Sequence, residues 1–519
     1  MKNHGLGDWI HRRRVRSRGQ TALISATGEQ TYDELADRID QLANALADRG
    51  IKPGDRVAYL GENSASFIET LFSVGSLGAV FVPLNTRLAP PEVQFALRDS
   101  GAKMLVSSTT LQLLAAAGSR ETAVERVVTV EDGPPERGES LEFPVPAEAF
   151  EDVLSSGTLD RPDVEVSHED LAVILYTSGT TGNPKGAMLT HGNLTWNAIN
   201  VLTDFDIASS NVALMIAPLF HVAALGQGTL PVLLKGGCVI LERRFQPGRV
   251  LALIEEHGVT NISGVPTTFQ LLCEHPDWDS TDISSLRNLT CGGSAVPLRV
   301  LEAYEDRGLA FTMGYGMTET SPGATSLPPA YSRSKQGSGG LPHFHTDVRV
   351  VDADGEPCAP GEVGEIQVHG PNVIAEYWNR PDATASSFVR DENATWLKTG
   401  DMGYFDDEGF LFISDRLKDM IISGGENIYP AQVEQQISSL EAVAAVAVIG
   451  VEDTKWGEVP RALIEVRQGH ELTEEEVLNH LDGKLARYKV PKSVVFVESM
   501  PRTASGKIRK PDLRKMYAK

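Results

Sequence analysis

Between Leu171 and Gly186 the chain passes from the apolar run LAVILY straight into TSGTTGNPKG. An uncharged apolar run of this length reads as a buried strand. The segment after it has four Ser/Thr hydroxyls, three glycines and a lysine, so it cannot be core. Glycines 179, 182 and 186 let a backbone approach a ligand closely. The hydroxyls of Thr177, Ser178, Thr180 and Thr181, with the Lys185 ammonium, supply what a phosphate cradle needs. The spacing is not that of the Gly-x4-Gly-Lys-Ser/Thr nucleotide loop, because Lys185 comes three residues after Gly182 and is followed by Gly186. A surface loop without function is the ordinary reading of such a composition taken alone.

Strands that alternate with helices extend this pattern along the chain. In residues 31–50 Thr31 and Glu34 have capping-box spacing, Leu35, Ile39, Leu42 and Leu46 share one helical face, and Gly50 supplies the stop. RVAYL (56–60), AVFVPL (79–84) and KMLVSS (103–108) read as strands separated by helices, which predicts parallel sheets covered by helices. Residues 131–166, rich in Glu, Pro, Gly and Ser, read as surface connection. From 348 the pattern turns to short strands and turns, as in a β-barrel-like subdomain, and the last hundred residues carry their own mixture of strands and helices. The predicted class is α/β. A large N-terminal body of helix-covered parallel sheets carries a β-barrel-like subdomain and is followed by a small α+β C-terminal domain.

Size and charge narrow the function. At 519 residues the chain exceeds one ordinary core, so at least two domains are expected. A net charge of -23 disfavours nonspecific nucleic-acid or anionic-lipid binding, and an anionic substrate would need a locally positive pocket. The basic run HRRRVRSR (11–18) is the local exception; it reads as a solvated helix face, with peripheral membrane contact as the weaker alternative. Cys238, Cys273, Cys291 and Cys358 are too scattered for zinc or dithiol chemistry and read as free thiols. With no transmembrane run of apolar residues, a cytoplasmic protein is expected.

The stretch YTSGTTGNPKGAMLTHGNL closely resembles the signature of the adenylate-forming superfamily, which includes acyl-CoA synthetases, luciferases and peptide-synthetase adenylation domains. Further matches follow in family order: PLFH (218–221), GGSAVP (292–297), GYGMTET (314–320), TGD (399–401), DRLKDMIISGGENIYP (415–430) and PRTASGKI (501–508). The resemblance covers essentially the whole chain and is nearest to stand-alone bacterial fatty-acyl or aryl CoA ligases. It implies ATP-dependent activation of a hydrophobic carboxylic acid to acyl-AMP with release of pyrophosphate, then transfer to CoA. Because an anion must meet a polyanion, charge neutralisation and alignment should outweigh proton transfer. ATP, Mg2+ and CoA are the implied cofactors and co-substrates.

Residue by residue, the resemblance places Thr177, Ser178, Gly179, Thr180, Thr181, Gly182 and Lys185 around the β- and γ-phosphates. Thr318 goes to the α-phosphate and Glu319 to the metal. Gly292, Gly293, Ser294, Tyr315 and Gly316 wall the adenine slot, Asp401 holds the ribose hydroxyls, and Arg416 supports the nucleotide. Taken singly, Glu319 could equally cap a helix and Asp401 open a turn. Lys507, by composition a solvated tail residue, becomes by resemblance the cation that bridges substrate carboxylate and α-phosphate. The implied division is a body of residues 1–415, a hinge at 416–418 pivoting on Lys418, and a mobile cap of residues 419–519. After pyrophosphate leaves, the cap is expected to withdraw Lys507 and present Gly424 and Gly425 to the pantetheine arm of CoA.

His221, Val222, Ala223, Leu225, Gly226, Gly314 and Met317 are the expected acyl pocket, apolar with one polar edge. Amino-acid adenylation is disfavoured because the region holds neutral Gln227 and no acid; luciferase-type oxidation is disfavoured because Ile422 stands where luciferases repeat a lysine. An amide-bond synthetase that passes the adenylate to an amine remains the alternative. A noncatalytic nucleotide-binding relative would lack Lys507, Glu319 or Asp401, and all are present. A homodimer is left open.

Overall fold

The computed structural model describes residues 2–133, 143–177, 184–292, 296–416, 419–423, 426–454, 456–482, 484–485, 487–503 and 506–518, with backbone only at 415, 416, 426 and 427. One sheet of the body runs Ala147–Ala149, Arg126–Val130, Met104–Ser108, Arg56–Leu60, Val80–Pro83, β1 (Leu171–Thr177) and β2 (Lys185–Thr190). Its strands pair in parallel except β1 with β2, which are antiparallel and flank the glycine-rich loop. Helix α1 (His191–Asp204) follows β2, its start set by a reciprocal capping box in which Thr190 and Asn193 exchange bonds.

The second body sheet is larger. Its parallel part includes Val212–Met215, β3 (Asn261–Gly264), β4 (Asn288–Gly292) and β5 (Phe311–Gly316). Beyond β5 the sheet turns antiparallel through β6 (Gly323–Leu327) and β7 (Ser338–Pro342), then joins the strands read as barrel-like, including β8 (Thr395–Phe405) and β9 (Leu411–Arg416). This continuity places β8 and the C-terminal end of β5 on one site. The main core lies between the two sheets, with Phe72, Phe81, Leu194 and Leu225 fully buried.

The predicted helix over 31–50 is Tyr32–Asp48, with Glu34 N–H donating to Thr31 Oγ1 at 3.2 Å, Thr31 N–H to Glu34 Oε2 at 2.8 Å, and Gly50 at φ +92°. Residues 131–166 are more than connection. They hold the strand Ala147–Ala149 and the helix Phe150–Ser155, whose Phe150, Val153 and Leu154 are buried. Their spacing forms a short apolar stripe packed against Tyr32–Asp48, which average composition conceals. The last hundred residues form their own sheet, in which Val443–Asp453 pairs antiparallel with Gly457–Val466, and that strand pairs in parallel with Ser493–Val497. Among the described residues no helix is long and apolar enough to cross a membrane.

Candidate active site

At the phosphate end, Thr177 closes β1 and Lys185 opens β2 as its register partner; Thr177 Oγ1 donates to the Lys185 carbonyl at 3.4 Å. Ser178, Gly179, Thr180, Thr181 and Gly182 lie outside the described residues. Lys185 Nζ stands 5.1 Å over the ring of Tyr377, whose hydroxyl donates to Glu319 Oε1 at 2.8 Å. Burial, then the Glu319 charge, push the Tyr377 phenol well up, which keeps it a donor. Glu319 is buried in the short turn Thr318–Thr320 directly after β5. It is not the cap there: Thr320 Oγ1 accepts from Met317 N–H at 3.0 Å. A side chain at Gly316 would meet the Pro322 carbonyl at 1.8 Å, so only glycine lets this turn fold back.

At the nucleoside end, Asp401 sits within β8 opposite Arg416 of β9, and not at a turn. It is 7% exposed and accepts from Tyr315 Oη at 2.7 Å, while its N–H donates to Thr399 Oγ1 at 3.1 Å. Tyr315 on β5 therefore couples that strand to β8 through the Asp401 carboxylate. Gly292 ends β4 beside Gly314 of β5, and a side chain at Gly292 would point into open space. Gly293, Ser294 and the Arg416 side chain lie outside the described residues.

On the acyl side, Ala224–Thr229 is a π-helix, the kind of local irregularity that re-aims side chains. Gly226 packs against the Ser321 carbonyl and the Pro322 ring, where a Cβ would come within 2.7 Å. Leu225 is fully buried and Val222 nearly so, both in the main core; Ala223 is exposed, and Met317 and Gly314 are half-buried. His221 Nε2 is sealed from solvent with no hydrogen-bond partner among the described residues. Burial, then the charges of Lys507 and Arg87, push its imidazole down to about 4, so it is neutral at physiological pH. Lys507 is exposed on a turn closed by Thr503 N–H to its carbonyl at 2.7 Å and by its own N–H to Thr503 Oγ1 at 3.1 Å. Added atoms at neighbouring Gly506 would touch Val265, just past β3, at 3.3 Å. Gly506, next to Lys507, thus approaches the C-terminal end of β3, the edge at which open α/β sheets take their ligands. Lys418, Gly424 and Gly425 are outside the described residues.

Comparison with known proteins agrees with this arrangement. Residues 10–378 match the AMP-binding enzyme family and residues 432–507 the AMP-binding enzyme C-terminal domain. The chain belongs to the adenylate-forming enzymes. It is 48% identical over 517 residues to a feruloyl-CoA synthase of an Amycolatopsis species, covering 100% of both chains. It is 39% identical over 515 residues to an indoleacetate–CoA ligase of Aromatoleum aromaticum, covering 99% of this chain and 98% of the other. Among solved structures, the o-succinylbenzoate CoA synthetase of Bacillus subtilis with its acyl-adenylate superposes with a TM-score of 0.84 at 33% identity, covering 98% of each chain. This adenylate-forming enzyme is an AMP-forming acid–CoA ligase: it activates a carboxylic acid with ATP and transfers the acyl group to CoA. Transfer to an amine is not favoured.

The enzyme uses ATP, Mg2+ and CoA. Among the described residues no three His, Cys, Asp or Glu side chains gather as a metal cage. Mg2+ keeps several waters and is held by one or two carboxylates plus substrate phosphates. The buried Glu319, oriented by Tyr377, is the carboxylate that fits.

Three residues that touch the candidate positions lie outside the sequence motifs. Tyr377 lies between Lys185 and Glu319. Arg87 reaches the Thr503 carbonyl of the cap at 3.5 Å. Asn197 of α1 donates to the Gly226 carbonyl at 2.7 Å and accepts from Gly323 N–H at 3.1 Å, tying the acyl helix to the turn beyond Glu319. Only Asn197 left a signal: Asn193, Asn197 and Asn200 fall on one helical face together with apolar Leu194 and Val201, a polar stripe in a buried position.

Proposed function

We propose that this enzyme makes the CoA thioester of an aryl acid of the arylpropenoate type, the acid class of the feruloyl-CoA synthase relative, and that the residues above carry the two half-reactions in these roles. Support for the roles comes chiefly from one observation: Lys507 is near enough to His221 for its charge to act on that imidazole, and Gly506 beside it approaches Val265 just past β3, which brings a cation to the expected acyl pocket. There Lys507 draws the acid's carboxylate toward the α-phosphate while Lys185 and the Thr177–Lys185 loop hold the outer phosphates. The carboxylate oxygen bonds to the α-phosphorus as the bond to pyrophosphate breaks. Thr318 steadies the α-phosphate, Glu319 contributes to the metal site, Asp401 and Arg416 grip the ribose, and Gly292, Gly293, Ser294, Tyr315 and Gly316 line the base.

In the second half-reaction the cap of residues 419–519 turns about 416–418 at Lys418, taking Lys507 away and bringing Gly424 and Gly425 to the adenylate. The CoA thiolate attacks the acyl carbon and AMP departs. His221, neutral at physiological pH, serves as a pocket wall and not as a base, since an ionised acid has no proton to give. The deciding experiment is acid-dependent pyrophosphate release over a panel of aryl, arylpropenoic and straight-chain acids, with CoA present and products weighed by mass spectrometry. AMP and an arylpropenoyl-CoA are the expected products. Preference for straight-chain acids overturns the substrate class.

A further inference from the structure

Asp99 stands in the last turn of the helix Pro90–Ser100, outside every motif, and is an acid at the negative end of a helix. The macrodipole disfavours a carboxylate there, so partners from elsewhere in the chain have to offset its charge. Two do. Arg380 Nη2 donates to Asp99 Oδ1 at 2.7 Å and Tyr176 Oη to Asp99 Oδ2 at 2.9 Å, across 281 and 77 residues of sequence. The pair with Arg380 is largely withdrawn from water, the aspartate side chain being 11% exposed. Burial, then the Asp99 charge, push the Tyr176 phenol well up, which keeps it a donor. The Asp99 carbonyl also accepts from Trp378 Nε1 at 2.9 Å, and the Arg56 guanidinium lies 5.5 Å over the Trp378 ring.

Both partners lead to the candidate site. Tyr176 directly precedes Thr177 at the mouth of the glycine-rich loop and is the register partner of Gly186 on β2. Arg380 N–H donates to the Tyr377 carbonyl at 3.2 Å, and the Glu376–Trp378 segment lies along the other edge of β2. There Trp378 N–H donates to the Gly186 carbonyl at 2.8 Å and Met188 N–H to the Glu376 carbonyl at 3.3 Å. A side chain at Gly186 would come within 3.3 Å of Trp378 and 3.5 Å of the Tyr176 ring, so the two segments close on the residue next to Lys185. One carboxylate thus joins the strand that enters the loop to the segment whose Tyr377 stands between Lys185 and Glu319.

We propose that Asp99 is a positioning residue for the phosphate and metal end of the site. It fixes the end of β1 and the Tyr377 segment at one spacing, so that Lys185 and Glu319 stand at the separation that ATP with its Mg2+ requires. It acts on the loop through Tyr176 and on Tyr377 through Arg380. This rests on the roles given above to Lys185 and Glu319 and adds what sets the distance between them. A site whose charges are already in place avoids reorganisation as the phosphates react.

The test measures pyrophosphate release and, separately, thioester formation from supplied acyl-AMP in the full chain. Asp99→Ala leaves the backbone carbonyl that holds Trp378 and removes the two side-chain bonds. It is expected to raise KM for ATP and the Mg2+ concentration at half-maximal rate by roughly 5–20-fold each, while KM for the acid and thioester formation stay within about twofold. The two arms should separate: Tyr176→Phe raises chiefly KM for ATP, and Arg380→Gln chiefly the Mg2+ requirement. Asp99→Asn, which keeps one acceptor oxygen, should fall between the natural enzyme and Asp99→Ala. It and Tyr176→Phe serve if thermal melting shows that Asp99→Ala does not fold. Lys185→Ala is the control on the roles themselves. If it raises KM for ATP and the folded Asp99 and Tyr176 variants do not, the positioning is overturned and the roles stand. Equal loss in both half-reactions in the Asp99 variants means that Asp99 only supports the fold, which overturns it too. If Lys185→Ala leaves KM for ATP unchanged, the roles fall and the positioning with them.

Discussion

In the body, Glu319 and Asp401 are buried carboxylates, each held by a tyrosine hydroxyl at 2.8 and 2.7 Å. In the cap, Lys507 stands exposed on a turn, and the polar links described between cap and body include Arg467 to Glu274 at 3.2 Å and Arg87 to the Thr503 carbonyl at 3.5 Å. The groups proposed to hold the metal and the nucleotide are already fixed by hydrogen bonds, which would spare reorganisation during the reaction. The group proposed to serve only one half-reaction is tethered by contacts that cost little to break.

The sharpest way to break this contrast is Lys507→Ala. Pyrophosphate release should fall on the order of 100–1,000-fold or more, while thioester formation from supplied acyl-AMP stays within a few-fold. Equal loss in both assays would mean that the cap does not divide its labour. Acid should next separate the regions. His191 of the body is fully buried, accepts from Leu6 N–H at 3.1 Å, and is pushed by burial from 6.5 to about 4. Below pH 6.5 the unfolded chain takes up a proton that folded His191 refuses, so stability drains away between pH 6.5 and about 4. The loss should approach about 3 kcal/mol for that residue, and His191→Asn should flatten this limb in urea titrations. Hydrogen exchange should show the body opening along it before the cap.

Smaller effects test the fixed carboxylates. Tyr315→Phe is expected to raise KM for ATP, and Tyr377→Phe to raise the Mg2+ concentration needed for half-maximal rate, each by roughly 5–30-fold, the worth of a hydrogen bond to a charged group. No change in either would mean that the tyrosines pack without orienting. The slightest effect belongs to Glu274→Ala, which removes the partner of Arg467 on the cap and of Arg299 on the body. At this half-exposed site the shift should be under about fivefold, with adenylation slower and thioester formation unchanged or faster. Measuring the half-reactions separately resolves it.

Much of this was legible beforehand because local rules are strong where they apply. The Thr31–Glu34 capping pair, the strand before the glycine-rich loop and the strand-rich pattern after 348 all depend on neighbours in sequence. The helix Phe150–Ser155 escaped because three apolar residues in a polar stretch matter only through what they pack on. Tyr377 and Arg87 escaped for a related reason: a tyrosine or arginine carries no mark of its partner, and Glu319 is 58 residues from Tyr377.

Sequence alone determined the chemistry on offer, because a glycine- and hydroxyl-rich loop, carboxylates and lysines at particular spacings are written in the chain itself. Tertiary structure alone decided which of them face one another. It carried β8 to β5 so that Asp401 meets Tyr315, and brought Gly506, beside Lys507, up to Val265 just past β3. The physical reason is register: the pairing of distant strands is fixed by the burial of whole faces, and no single stretch of the chain encodes which hydroxyl will stand beside which.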